Sequence, residues 1–168
     1  LVSQDMKRAW AAQLEVLEEV KRVCAILDIK FYADWGTMLG AVRHHGFIPW
    51  DDDMDIAMLR KEYMRFLSEA PALLGQYYEI KSVYNDPEDD TIKARIINGR
   101  HICFESDFLA RFHGCPYVVG IDIFPVDNIT GNAEALDKQV DELRFLLKTV
   151  QSIPEEAPYE DEELELMN

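Results

Sequence analysis

The chain has 168 residues, enough for one domain of ordinary size whose core needs no disulfide or metal staple. Its 17 basic residues stand against 32 acidic ones, and the net charge of −15 repels phosphate backbones and anionic lipid headgroups, which excludes a non-specific nucleic-acid binder. Seven prolines and eight glycines exclude a collagenous or low-complexity chain, and no apolar stretch approaches the ~20 residues of a transmembrane segment.

The chain opens at Leu1 without a methionine, as an internal cut of a longer protein would, and its first residues have neither the basic nor the apolar part of a signal peptide. Asp5 to Leu27 reads as an amphipathic helix, with Trp10, Leu14, Leu17, Val20, Cys24 and Leu27 as its apolar stripe. Ile29 to Ala33 reads as a short strand, and Thr37 to His44 as a short helix with Thr37 at its N-cap, broken by Gly46 and Pro49. Strand Asp53 to Leu59, helix Arg60 to Leu74 ending at Gly75, and strand Tyr78 to Tyr84 follow. Thr91 to Asn98 and Arg100 to Glu105 read as a hairpin about Asn98-Gly99. A strand from Tyr117 to Val126 and a helix from Asn132 to Gln151, capped by Asn132, complete the domain. Residues 1–153 are thus expected to form one catalytic α+β domain, a mixed sheet flanked by helices. Residues 154–168, with seven acids and no base, read as a solvated acidic tail, and the acids around Pro87 as an exposed loop. Cys24, Cys103 and Cys115 are odd in number and unpaired in spacing, which points to reduced thiols and a cytosolic setting.

One segment concentrates chemistry: WGTMLGAVRHHGFIPWDDDMDI, Trp35 to Ile56. Gly36-Thr37 lies where a strand turns into a helix, and a helix start offers unpaired N–H groups and a partial positive charge to a phosphate. On the strand that follows, Asp53 and Asp55 alternate onto one face, while Met54, Ile56 and Met58 take the buried one. Two carboxylates side by side repel unless a cation joins them, and paired hard oxygens suit Mg²⁺ or Mn²⁺. Asp122, between Ile121 and Ile123 in GIDIFPVD, is a third candidate acid on an apolar strand. Together these residues form a set for metal-assisted phosphoryl chemistry.

Other residues have two readings each. Arg43 could grip a phosphate or pair with the Asp51–Asp52 turn, and Lys93 and Arg95 could face a diphosphate or be ordinary exposed strand charges. The four histidines lack ligand spacing and read as structural or peripheral. Trp35, Trp50, Tyr32 and Phe124 flank the acidic segment, with core packing as the default reading; one or two, Trp50 among them, could face the pocket.

The order Gly-Thr, Asp-x-Asp and a later strand Asp resembles the nucleotidyltransferase superfamily related to DNA polymerase beta. More narrowly, the two quoted motifs resemble the LicD family of phosphocholine transferases, distant relatives of fukutin and fukutin-related protein, over roughly Leu14 to Gln151. Family members run longer than this chain, so part of the catalytic protein is expected to lie outside it. The resemblance implies transfer of a phospho-alcohol, phosphocholine first, from a CDP-activated donor such as CDP-choline to a hydroxyl of a cell-surface glycan or glycolipid (teichoic acid, lipopolysaccharide or capsule), with release of CMP. It implies that Asp53 and Asp55 hold Mg²⁺, or Mn²⁺ in its place. Asp122 would complete that metal site or take the hydroxyl proton, and Gly36 and Thr37 would cradle phosphate. It also implies a cytoplasmic protein, either unattached or peripheral at the inner face of the membrane. A nucleotidyltransferase using an NTP on a small molecule or protein, and an inactive binding domain of the same fold, are the alternatives.

Overall fold

A computed structural model describes residues 2–86, 91–129 and 131–151. The acids at 88–90 and the whole of the 154–168 tail lie outside the described residues. The chain divides after Asp127 into two compact units.

In the first unit, helix α1 (Gln4–Leu27) leads through strand β1 (Tyr32–Ala33) into helix α2 (Trp35–His44). Strand β2 (Asp55–Leu59), helix α3 (Arg60–Glu69) and a 3₁₀ turn (Ala70–Ala72) follow, then strands β3 (Glu79–Lys81) and β4 (Ala94–Ile97), helix α4 (Ser106–Arg111) and strand β5 (Gly120–Val126). The five strands form one mixed sheet in the order β1-β2-β5-β4-β3; β2 and β5 are parallel and every other pair is antiparallel. This is the α+β, nucleotidyltransferase-like arrangement expected from the sequence.

Alternation splits the two central strands chemically. Ile56 and Met58 of β2, Ile121 and Ile123 of β5, and Ile96 of β4 are all buried on one face, in a cluster with Val16, Val20 and Val23 of α1 and Tyr63 and Phe66 of α3. Each such side chain contributes about 1.5–3 kcal/mol on leaving water. Asp55, Asp122 and Arg95 alternate with these residues and so take the other face. The apolar face therefore carries the cost of a polar one.

Several elements differ from their sequence reading. The buried stripe of α1 is Ala12, Val16, Val20, Val23 and Cys24 with Gln13 and Glu19, while Leu14 is exposed; the helix is turned by about one residue, because two polar side chains on it have partners to reach. Asp34, not Thr37, caps α2: its side chain accepts the Trp35 N–H at 2.9 Å, and the helix starts two residues earlier than the glycine-threonine signal suggests. Helix α3 gives way to the 3₁₀ turn at Ala70-Pro71, since proline cannot continue the hydrogen-bond ladder. No hairpin forms about Asn98-Gly99. Asn98 is fully buried; its Oδ1 accepts the Val119 N–H at 2.8 Å and its Nδ2 donates to the Tyr117 carbonyl at 3.4 Å, so it ties the end of β4 to the approach of β5. The next residues form no strand, and Ser106–Arg111 is a helix instead. The three thiols are unpaired, and burial pushes the Cys24 thiol up to about 12, which makes it a core residue and not a nucleophile.

In the second unit, helix α5 (Ala133–Gln151) starts at Asn132, whose side chain accepts the Ala135 N–H at 3.1 Å, as its capping role predicts.

Asn98→Ala removes the side-chain partners of the part-buried Val119 N–H and Tyr117 carbonyl. It is expected to cost about 1–3 kcal/mol in denaturant unfolding. A stability within about 0.5 kcal/mol of the parent would deny Asn98 this bracing role.

Candidate active site

The site is built on the parallel pairing of β2 with β5. The register sets Asp55 directly against Asp122, and the antiparallel pairing of β4 sets Arg95 against Asp122 from the other side. Asp53, just before β2, joins them: one carboxylate oxygen each from Asp53, Asp55 and Asp122 lies within 4.8 Å of the others. Asp51, Asp52 and Asp53 form a second such group, so Asp53 belongs to both.

The acidic loop is tied down by residues far away in the chain. Trp10 Nε1 donates to the Asp51 carbonyl at 2.8 Å, and Gln13 Nε2 to the Asp52 carbonyl at 2.7 Å. Thr37 Oγ1 accepts the Asp55 N–H at 2.8 Å, and the Asp34 N–H donates to the Asp55 carbonyl at 3.1 Å. The Asp122 N–H donates to the Met54 carbonyl at 2.9 Å. Gly36 is required by a close approach: a Cβ there would overlap Asp51 Oδ2. Gly36 and Thr37, read from sequence as a phosphate cradle, thus make room for one acid and orient another. Asp51, Asp52, Asp55 and Asp122 are thus each held through a backbone group.

The electrostatics divide the acids. Burial works against charge on Asp122, but the hydrogen bonds of Arg95 and Lys93 outweigh it and hold the carboxyl below its usual range. Arg95 Nε meets Asp122 Oδ1 at 2.5 Å, and Lys93 meets Oδ2. The Lys93 ammonium also lies 5.7 Å from the Phe124 ring centroid. Asp55 goes the other way: burial, then the charges of Asp53 and Asp122, push it up to about 6. Burial, a hydrogen bond shared with Asp53 and the neighbouring charges likewise raise Asp51.

The remaining expected residues are scattered around this centre. Arg43 is exposed in the last turn of α2 and pairs with neither Asp51 nor Asp52. The aromatic residues are not core: Tyr32, Trp35 and Trp50 are all largely exposed, Trp50 at 77%. Trp35 sits in the left-handed region at φ 40°, a costly conformation for so large a residue, with its ring 6.1 Å from Phe124. Trp50 meets His44 edge-on at 6.1 Å. A cavity of about 470 Å³ adjoins the acids between α1, α2 and the loop into β2, with His45 at its wall. Sequence reasoning passed over Asp51 and Gln13. The alternation of Asp51, Asp53 and Asp55 was a signal for the first; a glutamine one position off an apolar stripe gave little warning of the second.

Asp53 and Asp55 suit a hard divalent cation: both are oxygen donors, they stand close together, and charging Asp55 is unfavourable without a cation. The oxygens of Asp122 are engaged by Lys93 and Arg95. A raised carboxyl costs stability as pH rises. The folded chain keeps the Asp55 proton after the unfolded chain has released it, so the contribution present at acid pH is lost between the ordinary 3.8 and about 6. Asp55→Asn cannot take up that charge. In EDTA at pH 8 it is expected to melt about 2–4 °C above the parent, roughly 1 kcal/mol after solvent screening, and to lose the advantage at pH 4. Equal melting temperatures at both pH values would show that charge repulsion at Asp55 does not strain the fold.

Residues 28–131, more than half of the chain, match the family model described as LicD/FKTN/FKRP, nucleotidyltransferase domain. The lipopolysaccharide cholinephosphotransferase LicD of Haemophilus influenzae is 46% identical over 54 residues, 32% of this chain and 20% of that protein. An uncharacterised protein of Rickettsia typhi is 34% identical over 67 residues (40% of this chain, 22% of the relative), and one of Rickettsia prowazekii 32% over 73 (42% and 27%). The matches thus span between about a fifth and a quarter of the length of these curated relatives. No helix among the described residues is long and apolar enough to cross a membrane. With its acids in register on β2 and β5, and a family match running from Asp28 to Gly131, the chain belongs to the LicD/FKTN/FKRP family through its nucleotidyltransferase domain.

Proposed function

We propose that the chain carries the catalytic face of a Mg²⁺-dependent transferase. It moves a phospho-alcohol, phosphocholine first, from a CDP-activated donor to a hydroxyl of a cell-surface glycan or glycolipid and releases CMP. The observation that carries this reading is the convergence of Asp53, Asp55 and Asp122 within 4.8 Å on paired strands, beside two cations. The kinship with a lipopolysaccharide cholinephosphotransferase supports the choice of alcohol. The acceptor is met in the cytoplasm or at the inner face of the membrane.

Asp53 and Asp55 would hold the metal, which when bound supplies positive charge against the donor diphosphate. The chain's own groups do the positioning. Asp122 keeps Lys93 and Arg95 extended beside the metal pair, where a diphosphate presents further oxygens to the same two cations. Thr37 fixes the backbone of Asp55, and Gly36 lets Asp51 close the other flank. Arg43, exposed in the last turn of α2, would be a further cation for the outer phosphate. In phosphoryl transfer such positioning and charge supply most of the rate. Asp122, held below the usual carboxylate range, is a weak proton acceptor, so its part is the ordering of these cations.

The test follows CMP release from CDP-choline with a lipopolysaccharide acceptor. Mg²⁺ is expected to be required, and EDTA to abolish release. Asp53→Asn and Asp55→Asn are each expected to lower the rate by more than about 10²-fold, as the loss of several kcal/mol of charge stabilisation implies, with the fold intact by circular dichroism. Full activity in both variants would refute the metal assignment. Turnover of CTP or another NTP with none of CDP-choline would turn the reading to nucleotidyl transfer.

A further inference from the structure

Helix α5, in the second unit, has no part in the transfer chemistry, and its sequence pattern is specific. Ala133, Leu136, Val140, Leu143 and Leu147 recur along it at alternating spacings of three and four. That is the seven-residue repeat of helices packed side by side. A straight helix drifts away from such a repeat, and this stripe keeps it over two full periods. Much of the stripe is open. Leu143 is 54% and Leu147 61% exposed, with Leu146 beside them at 57%, while Leu136 and Val140 are half-buried. An amphipathic helix draws most of its stability from covering its apolar stripe. The opposite face is polar, and Lys138 pairs with Glu142 along it.

The charges beside the stripe choose the partner. A chain with a net charge of −15 repels its own copies, so self-association needs a surface free of net charge. The flank of the stripe is such a surface. Its charged members are Asp137 and Arg144, one residue beyond Leu136 and Leu143 and one seven-residue repeat apart. When two copies of α5 run antiparallel, Leu136 meets Leu147 of the other copy and Val140 meets Leu143. In that register Asp137 of each copy comes opposite Arg144 of the other, twice by symmetry. A parallel pair has no such match: Asp137 and Arg144 then face the uncharged Asn132 and Gln139. Both charged side chains can turn to a second copy. Asp137 is exposed and has no ion-pair partner among the described residues. Arg144 meets Asp141 of its own helix at 3.4 Å, with both side chains at least 70% exposed.

We propose that α5 is a self-association surface, covered by the α5 of a second copy of this chain in antiparallel register. Two helices of this length make a small interface, so the dimer forms and dissociates with concentration. Sedimentation velocity of the full chain from low to high micromolar concentration is expected to show a monomer giving way to a dimer. Asp137→Arg and Arg144→Asp each set like charges opposite one another at both ends of the pair. Each is expected to raise the dissociation constant about tenfold or more when studied alone. Mixed in equal amounts, the two variants regain opposite charges at both ends and are expected to associate with each other as the parent does with itself. Leu143→Glu, which places a charge in the middle of the stripe, is expected to abolish the dimer. Circular dichroism checks that each variant keeps its helix content. A parent chain that stays monomeric throughout, single charge variants that associate as the parent does, a mixture no tighter than either variant alone, or a dimer that survives Leu143→Glu would each overturn the proposal. If Leu143→Glu loses helix, the two exposed charge variants and their mixture decide.

Discussion

Three carboxylates brought within 4.8 Å of one another repel, and that repulsion is the constraint around which the first unit is organised. Asp55 and Asp122 meet only because β2 and β5 pair in parallel and in register, and the pairing is held from the opposite side of the same strands by Ile56, Met58, Ile121 and Ile123. The polar face is compensated unequally. Asp122 has two cations and stays ionised; Asp55 has mainly other acids for company and holds its proton up to about pH 6. The strain is thus concentrated on the Asp53–Asp55 side, the side with the greatest gain from a divalent cation.

The acidic loop before β2 is fastened largely through its carbonyls and N–H groups. Trp10 and Gln13 reach it from α1, Thr37 and Asp34 from the start of α2. These are single hydrogen bonds, each worth about 1 kcal/mol net, but together they fix several consecutive residues. This also explains why α1 does not turn its most regular apolar stripe inward: Leu14 is given up to the cavity so that Gln13 can reach Asp52.

Much of the site was legible in the sequence. The alternation of Met54, Ile56 and Met58 with acids assigned faces correctly, and a lone acid between Ile121 and Ile123 marked the partner strand. The period-two pattern carries that information wherever one face is buried. Pairing partners were not legible. Asn98-Gly99 has the composition of a tight turn, but tertiary contacts decided otherwise, since Asn98 has two backbone groups to satisfy near β5. The cap of α2 was misplaced because Asp34 and Thr37 are both good capping residues, and only the demand of Asp55 for a hydroxyl separates them. Lys93 and Arg95 were visible as two cations on one strand face, but the acid they face lies on a different strand.

The register of β2 against β5 also has a consequence for how the chain reaches this state. The two strands are separated by α3, β3, β4 and α4, so their pairing is a long-range closure, of the kind that slows folding. The acids are therefore far apart while local helices form, and mutual repulsion is absent from the early ensemble. It comes into play when β5 pairs with β2, and β5 pairs also with β4, where Arg95 and, just before the strand, Lys93 face Asp122. The strand closure that creates the repulsion is also the one that brings the relieving cations to Asp122.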